Sequence, residues 1–181
     1  MARPYHLPIT ASGQVYDFPH LEPFQILVAS QKVGRNLRIH IRFSNHCFSD
    51  GFDPATHSSS TVTFPDGGGR PRAFSLERYE LSQQLPDLLR NLNDPKAKVW
   101  QTAQRRNYLH SVIVNSESGP YHVFFEMRRA PEDERHLQDL NMTVESAYQQ
   151  HVGRSPALLG KIGFVLLVGK VFKGEPVATK R

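Results

Sequence analysis

The last third of the chain contains four apolar-rich segments, Tyr108-Leu-His-Ser-Val-Ile-Val114, Tyr121-His-Val-Phe-Phe-Glu-Met-Arg128, Leu140-Asn-Met-Thr-Val-Glu-Ser-Ala-Tyr148 and Ile162-Gly-Phe-Val-Leu-Leu-Val-Gly-Lys-Val-Phe172. Each segment has the length of a strand, is rich in β-branched and aromatic residues, and ends at Gly, Pro or a polar cluster. Turns and short loops connect them. The pattern predicts a four-stranded antiparallel meander in the C-terminal part of the fold.

A β-hairpin is predicted upstream of the meander. Phe24–Ser30 forms its first strand, Gly34 lies in the turn, and Leu37–Phe43 forms the return strand. The return strand alternates apolar and polar residues, so its apolar face consists of Leu37, Ile39, Ile41 and Phe43. Its polar face consists of Arg38, His40 and Arg42.

One amphipathic helix is predicted between the hairpin and the meander. An apolar stripe at helical spacing is formed by Leu81, Leu85, Leu88, Leu89 and Leu92. Ser82 is the expected N-cap of this helix. The order of hairpin, loop, helix and four strands predicts an α+β fold, with the hairpin and the amphipathic helix packed on the C-terminal antiparallel meander.

Length and composition favour a single cytoplasmic domain. The chain has 181 residues, of which 39% are hydrophobic, and this is enough to build a core. We expect an irregular arm over residues 1–22, a hairpin and loop layer over 23–72, a helix and sheet core over 73–173, and a tail over 174–181. No apolar run reaches the roughly 18–20 residues that span a bilayer, and the N-terminus lacks the pattern of a signal peptide. The single cysteine excludes an internal disulfide, and no motif indicates a cofactor or a metal.

Two clusters of basic side chains favour an anionic partner. The formal net charge is +5 and the pI is about 9.5. One cluster is the Arg38, His40 and Arg42 row, and the other surrounds Trp100 with Lys98, Arg105 and Arg106. Cations beside an aromatic ring are typical of nucleic-acid binding, so we expect RNA as the partner. The alternative is a solvated basic surface in which Trp100 anchors the core.

Strict alternation along the second and third segments separates a core face from an open face. The core face is predicted to hold Tyr121, Val123, Phe125, Met127, Met142, Val144, Ser146 and Tyr148. The open face is predicted to hold His122, Phe124, Glu126, Arg128, Asn141, Thr143, Glu145 and Ala147. The open face therefore combines an imidazole, two carboxylates, a guanidinium and a hydroxyl.

These groups are sufficient for metal-independent cleavage of RNA. Attack by a 2′-hydroxyl needs a base, an acid for the leaving oxygen and a cation near the phosphate. Glu126 or His122 is predicted to transfer protons, Arg128 to bind the phosphate, and Thr143 to position the substrate, with Glu145 as the second carboxylate. The alternative is that Glu126, Arg128 and Glu145 form ordinary cross-strand ion pairs.

Residues of roughly 100–173 resemble the barnase–EndoU–colicin–RelE (BECR) group of toxin nucleases. The resemblance rests on Tyr121-His-Val-Phe-Phe-Glu-Met-Arg-Arg129, Leu140-Asn-Met-Thr-Val-Glu-Ser-Ala-Tyr148 and Lys161-Ile-Gly-Phe-Val-Leu-Leu167. It implies helices before a four-stranded sheet, ribonuclease activity, and an immunity or antitoxin protein as a partner. The residues that it nominates are His110, His122, Arg128, Ser146, Tyr148 and Lys161. For Ser146 and Tyr148 it disagrees with the alternation, which assigns them to the core face.

A rival site is the stretch Phe43-Ser-Asn-His-Cys-Phe-Ser49. Cys47 could act as a thiol nucleophile with His57 as its base, or bind zinc, but a lone cysteine between phenylalanines more often serves as a small buried hydrophobe. Asn45 and His46 are predicted to form turn hydrogen bonds or to close the cleft from the other side. Two further functions remain open, a non-catalytic nucleic-acid-binding domain and an accessory partner-binding protein of a mobile element or defence system.

Overall fold

The structure is a computed structural model that describes residues 3–103, 107–112, 119–150 and 156–177. Within these residues the chain forms an α+β fold with one large sheet, two small sheets and three α-helices. The first strands are β1 (Ile9–Ala11), β2 (Gln14–Tyr16), β3 (Phe24–Ser30), β4 (Arg35–Phe43), β5 (Ser49–Gly51), β6 (Thr63–Pro65) and β7 (Pro71–Phe74). The later elements are α1 (Leu76–Ser82), α2 (Leu85–Asn91), β8 (Lys98–Thr102), β9 (Asn107–Val112), β10 (Tyr121–Arg129), β11 (Leu140–Gln149), β12 (Leu158–Gly163) and α3 (Phe164–Lys173).

The large sheet has seven strands in the order β12-β8-β9-β10-β11-β4-β3. Strands β4 and β11 pair in parallel, and the other neighbours in this sheet are antiparallel. The predicted four-stranded antiparallel meander is therefore wrong in its extent. Three of its segments do run consecutively as β9, β10 and β11, but the hairpin extends the same sheet instead of packing on it.

The fourth predicted strand is a short strand followed by a helix. Strand β12 pairs with β8 at the edge of the sheet, and α3 begins at Phe164. The strand prediction for this segment relied on its β-branched residues and gave too little weight to the spacing of its apolar residues. Phe164, Leu167 and Val168 are buried at i, i+3 and i+4, which is helical spacing. Gly174 ends α3 in the left-handed conformation, with φ of 70°.

The predicted hairpin is confirmed, and its return strand has the predicted faces. Leu37, Ile39, Ile41 and Phe43 are buried, and they pack in a core that α3 covers through its contacts with β3 and β10. Helix α3 approaches β3 closely because Gly169 has no side chain. A Cβ at Gly169 would lie 2.8 Å from Ser30 Oγ.

The predicted amphipathic helix is two short helices. Ser82 ends α1 instead of capping a longer helix, because its buried hydroxyl donates to the Tyr79 carbonyl at 2.7 Å and bonds to His20 Nε2 at 2.8 Å. Pro86 then lies in the first turn of α2, where proline is tolerated. Among the described residues, no helix is both long enough and apolar enough to cross a membrane.

A β-bulge in β11 changes the predicted faces of that strand. Phe125 lies opposite Val144 and Phe124 lies opposite Ser146, so Glu145 is an extra residue with no counterpart on β10. Beyond the bulge the alternation is reversed. Ala147 is buried in the core, whereas Ser146 and Tyr148 lie on the open face. The alternation was wrong for these three residues because it assumed an unbroken period of two.

Candidate functional site

A cleft of about 530 Å³ opens on the face of the large sheet opposite α3. One wall, the sheet wall, comes from β9, β10 and β11. The other, the loop wall, comes from the two turns at residues 44–47 and 66–70. Thr102, Ala103, Pro156 and Ala157 also line the cleft. The polar and aromatic side chains that line the cleft include His46, Arg70, Asn107, Phe124, Glu145 and Tyr148. The cleft therefore lies on the predicted open face, and the chain that follows β4 closes one side of it.

The bulge directs Glu145 into this cleft. Bulges commonly occur beside functional sites because the extra residue re-aims a side chain. The Ser44 amide donates to the Val144 carbonyl at 2.9 Å, and the Ser44 hydroxyl donates to the Glu145 carbonyl at 2.6 Å. The bulged backbone is thus held by hydrogen bonds from the first residue after β4.

The surroundings of Glu145 favour its protonated form. Burial raises the pKa of the Glu145 carboxyl, and the nearby Glu126 carboxylate raises it further. Asn107 Nδ2 donates to Glu145 Oε2 at 3.2 Å, which holds the carboxyl in place. Glu126 itself pairs with Arg128, whose Nε lies 2.6 Å from Glu126 Oε1. Glu145 is therefore the carboxyl on the sheet wall that is best suited to carry a proton.

The loop wall presents His46, which is paired with a buried carboxylate. His46 lies in a 3₁₀ turn over Asn45–Cys47, and its amide donates to Ser44 Oγ at 3.1 Å. Its Nε2 lies 3.3 Å from Asp66 Oδ2. Burial lowers the pKa of the His46 imidazole, and the Arg72 guanidinium lowers it further. A neutral His46 donates Nε2–H to Asp66 and so keeps its lone pair on Nδ1.

Asp66 organises the glycine-rich turn that follows it. Its Oδ1 accepts from the amides of Gly68 at 2.8 Å and Arg70 at 2.9 Å, and its Oδ2 accepts from Arg70 Nε at 2.9 Å. These hydrogen bonds, with the Arg70 amide first, lower the pKa of Asp66 to about 2. The Arg70 side chain is nevertheless 76% exposed at the rim of the cleft. The turn thus holds an ionised partner for His46 and an accessible guanidinium.

The Ser44 hydroxyl bonds to both walls. Ser44 Oγ donates to the backbone of Glu145 and accepts from the backbone of His46. Arg78 supports the same region, since its Nη1 donates to the His46 carbonyl at 3.1 Å and its guanidinium lies 5.3 Å from the Tyr148 ring centroid. The residues that present the imidazole and the carboxyl are therefore fixed relative to each other by direct contacts.

Two aromatic rings form the apolar part of the cleft. Phe124 and Tyr148 lie on β10 and β11 with their ring centroids 5.5 Å apart and their planes inclined by 17°. The Tyr148 ring is polarised from one side by Arg78. These rings lie beside an acid, a base and a cation, and this combination complements the base and the phosphate of a nucleotide.

The two predicted histidines do not line this cleft. His122 lies on the open face but is only 4% exposed, and its Nε2 bonds to Gln150 Oε1 at 2.6 Å. His110 is paired with Val123 and therefore points to the core face, where burial lowers the pKa of its imidazole. The structure separates His110 from the open-face residues by the thickness of the sheet.

The other predicted catalytic residues lie together beside the cleft. Thr143 is directly opposite Glu126, and both are on the open face. Arg128 is exposed but its guanidinium is bound to Glu126. Glu126 and Arg128 therefore form an ion pair, as in the alternative interpretation, but the pair lies within β10 and does not cross between strands. Glu145 is bonded to Asn107 instead.

The predicted nucleic-acid-binding residues have different environments. Arg42 is exposed on β4 opposite Thr143, and half-buried His40 lies opposite Asn141. The partly exposed Arg38 guanidinium is bound by the carbonyls of residues 135 and 136 and by Asp139. Lys98 is exposed on β8, and Lys161 lies over Trp100. Arg105 and Arg106 lie outside the described residues.

Sequence reasoning missed Asp66 and Arg70, and it assigned His46 only turn hydrogen bonds or a role in closing the cleft. The one local signal was the turn composition of Asp66-Gly-Gly-Gly-Arg70, in which an Asp side chain can accept from following amides. Cys47 is buried, and burial raises the pKa of its thiol to about 12, as expected for a small buried hydrophobe. Among the described residues, no group of three or more His, Cys, Asp or Glu side chains could hold a metal ion.

Comparison with known proteins found one family. The sequence model of the YjaZ family matches residues 8–172, which include all twelve strands found in the described part of the chain and both walls of the cleft. No curated protein and no solved structure matches the chain. The description of the family states no activity, so the resemblance to the BECR nucleases stays a prediction.

Proposed function

The chain belongs to the YjaZ family, and from the geometry of its cleft we propose that it is an endonuclease that cleaves single-stranded RNA by general acid–base chemistry. The observation that carries this proposal is the pairing of the two walls through Ser44. One wall presents a neutral imidazole with a carboxylate partner, and the other presents a carboxyl with a raised pKa. Such a pair of environments is typical of a base and an acid.

In the proposed reaction, His46 is the base and Glu145 is the acid. The 2′-oxygen of the substrate attacks the adjacent phosphorus while His46 Nδ1 accepts the hydroxyl proton. The bond between phosphorus and the 5′-oxygen breaks, and the Glu145 carboxyl transfers its proton to that oxygen. The products are a 2′,3′-cyclic phosphate and a 5′-hydroxyl, and no further reactant is needed.

The remaining cleft residues support binding and charge stabilisation. Arg70 is the exposed cation at the rim and is suited to the phosphate, whose negative charge must be stabilised in the transition state. Phe124 and Tyr148 provide a surface on which a base can stack. Asp66 positions His46 in the same way that a buried carboxylate orients a catalytic imidazole.

The test is cleavage of a fluorescently labelled single-stranded RNA by the purified protein in a chelator. His46→Asn and Glu145→Gln are each expected to lower the rate about 10²–10⁴-fold, the range for a general acid or base. The matched controls are His57→Asn and Glu80→Gln, because His57 lies in a loop away from the cleft and Glu80 is exposed on α1. Both controls should retain the activity of the natural protein.

Two further results distinguish cleavage from binding. A substrate with 2′-deoxyribose at every position should bind without being cut, because it lacks the nucleophile. Mass spectrometry of the RNA products should show the cyclic phosphate. RNA that is bound but remains intact with every variant would replace the proposal by a non-catalytic nucleic-acid-binding function.

A further inference from the structure

The open face carries a second aromatic position outside the cleft, and we propose that Trp100 and Lys161 form a further nucleotide-binding subsite for the same RNA strand. This inference rests on the proposed function, because it extends the substrate path of that cleft. The subsite would bind a nucleobase on the indole ring and its phosphate on the Lys161 ammonium.

The register of the sheet aligns this pair with the cleft. Lys161 lies opposite Trp100, Trp100 opposite Leu109, Leu109 opposite Phe124, and Phe124 opposite Ser146. The row crosses β12, β8, β9, β10 and β11 on the open face. Because neighbouring strands are about 4.8 Å apart, the backbone at Trp100 lies about 10 Å from that at Phe124. The two aromatic positions are thus separated by one strand, and buried Leu109 fills the gap.

The surface around Trp100 is a groove with apolar walls. It has a volume of about 330 Å³ and is lined by Trp100, Leu158, Leu159 and Gly160. The side chains of Leu158 and Leu159 are on the edge strand and are 37% and 45% exposed. The indole itself is half-buried and faces away from the core, so it does not serve as the core anchor of the alternative reading.

The cation beside this groove indicates which ligand it takes. Lys161 Nζ lies 4.3 Å from the centroid of the Trp100 ring. A planar ring, an apolar wall and one ammonium complement a base, a sugar and a phosphate. Stacking of a base on an aromatic ring is worth more than an exposed cation–π contact. An incoming base would therefore displace the ammonium from the ring, and the ammonium would then pair with the phosphate.

Trp100 is the chain's single tryptophan, which makes the subsite directly observable. We would titrate the natural protein with uncleavable 2′-deoxy oligonucleotides of two and of six residues, and record tryptophan fluorescence. The hexanucleotide is expected to quench the fluorescence in a saturable manner. The dinucleotide, which fills only the cleft, should bind without quenching, as judged by its competition with labelled RNA.

Kinetics provide the second readout. Trp100→Ala should raise KM for the hexanucleotide RNA about tenfold, as expected for the loss of one stacking contact, and leave kcat/KM for a dinucleotide unchanged. Lys161→Gln should reduce hexanucleotide affinity and its salt dependence. Tyr5→Ala and Lys32→Gln are matched controls away from the open face. Neither should change KM or kcat/KM for the hexanucleotide or the dinucleotide.

The outcomes separate the two proposals. If the protein cleaves RNA but neither oligonucleotide quenches the tryptophan fluorescence, the subsite is overturned and the proposed function is left intact. Saturable quenching by the hexanucleotide with no cleavage of any RNA would support the subsite and overturn the catalytic proposal. Quenching that the dinucleotide produces equally would show that Trp100 reports on the cleft itself, which contradicts a separate subsite.

Discussion

The two walls of the cleft are built by different means. The sheet wall is regular secondary structure, in which one bulge residue, Glu145, departs from the pairing. The loop wall has little regular structure, and His46 is held there by Asp66, a residue 20 positions further along the chain. A strand pairing positions the first group, whereas a set of side-chain hydrogen bonds positions the second.

This difference shows where the site is robust and where it is sensitive. Strand β11, which carries Glu145, and its neighbour β10 are anchored by the buried side chains of Met142, Val144 and Phe125. The His46 wall depends on a few polar contacts around Asp66 and Ser44. Substitutions that leave the core intact should therefore disturb the loop wall more readily than the sheet wall.

The largest effects are expected when either wall loses its proton-transfer group. His46→Asn and Glu145→Gln should each reduce kcat/KM by about 10²–10⁴-fold. The double variant should be little worse than the poorer single variant, because groups that act in one step are not additive. Single-turnover cleavage of labelled RNA measures this. Fully multiplicative losses would indicate that the two walls act independently.

The next effect tests the support of the loop wall. Asp66→Asn keeps an oxygen for the amides of Gly68 and Arg70 but removes the charge that orients His46. We expect a reduction of kcat by about 10²-fold, with KM nearly unchanged. The control is Asp53→Asn in the neighbouring loop. A change confined to KM would mean that Asp66 acts on binding and not on His46.

Ser44→Ala should have a moderate effect on both walls at once. Removal of the hydroxyl leaves the Glu145 carbonyl and the His46 amide without their partner. We expect a loss of about 1–2 kcal/mol in the free energy of unfolding, measured by urea denaturation, with a fall in kcat. Ser58→Ala, in an exposed loop, is the matched control. An unchanged stability would show that the hydroxyl does not tie the two walls together.

The smallest effect is expected at the basic row of β4. Arg42 is exposed on the open face, so Arg42→Gln should weaken RNA binding and reduce the dependence of log K on log salt by about one unit. Arg38→Gln should leave that slope unchanged and lower the stability, because Arg38 binds Asp139 and two carbonyls. The reverse pattern would show that Arg38, and not Arg42, contacts the RNA.

The sequence predicted those parts of the fold that follow a simple period. The hairpin and the two faces of β10 were correct because alternation of apolar residues records burial directly. The bulge at Glu145 was not predictable, since it arises from pairing with β10 and from Ser44, and so the core assignment of Ser146 and Tyr148 failed. In α3 the helical spacing was present, but its β-branched residues favoured a strand.

The candidate site was predicted in part for a related reason. Its sheet wall could be located because Glu145 and the open-face residues lie within consecutive strands. The loop wall could not, because the contact of His46 with Asp66 depends on how the chain folds back after β4. In the sequence, His122 and His110 looked more suitable as catalytic residues than His46. The structure buries His122 and places His110 on the core face.

The pH dependence of kcat/KM for the natural protein and two variants tests the central claim most directly. The Glu145 pKa is raised from 4.5 and the His46 pKa is lowered from 6.5, so the natural protein should give a bell whose acid limb lies below pH 6.5 and whose alkaline limb lies above pH 4.5. With His46 as base and Glu145 as acid, His46→Asn should lose the acid limb and Glu145→Gln the alkaline limb. Limbs lost in the opposite order, or a bell unchanged in either variant, would contradict this account of the cleft.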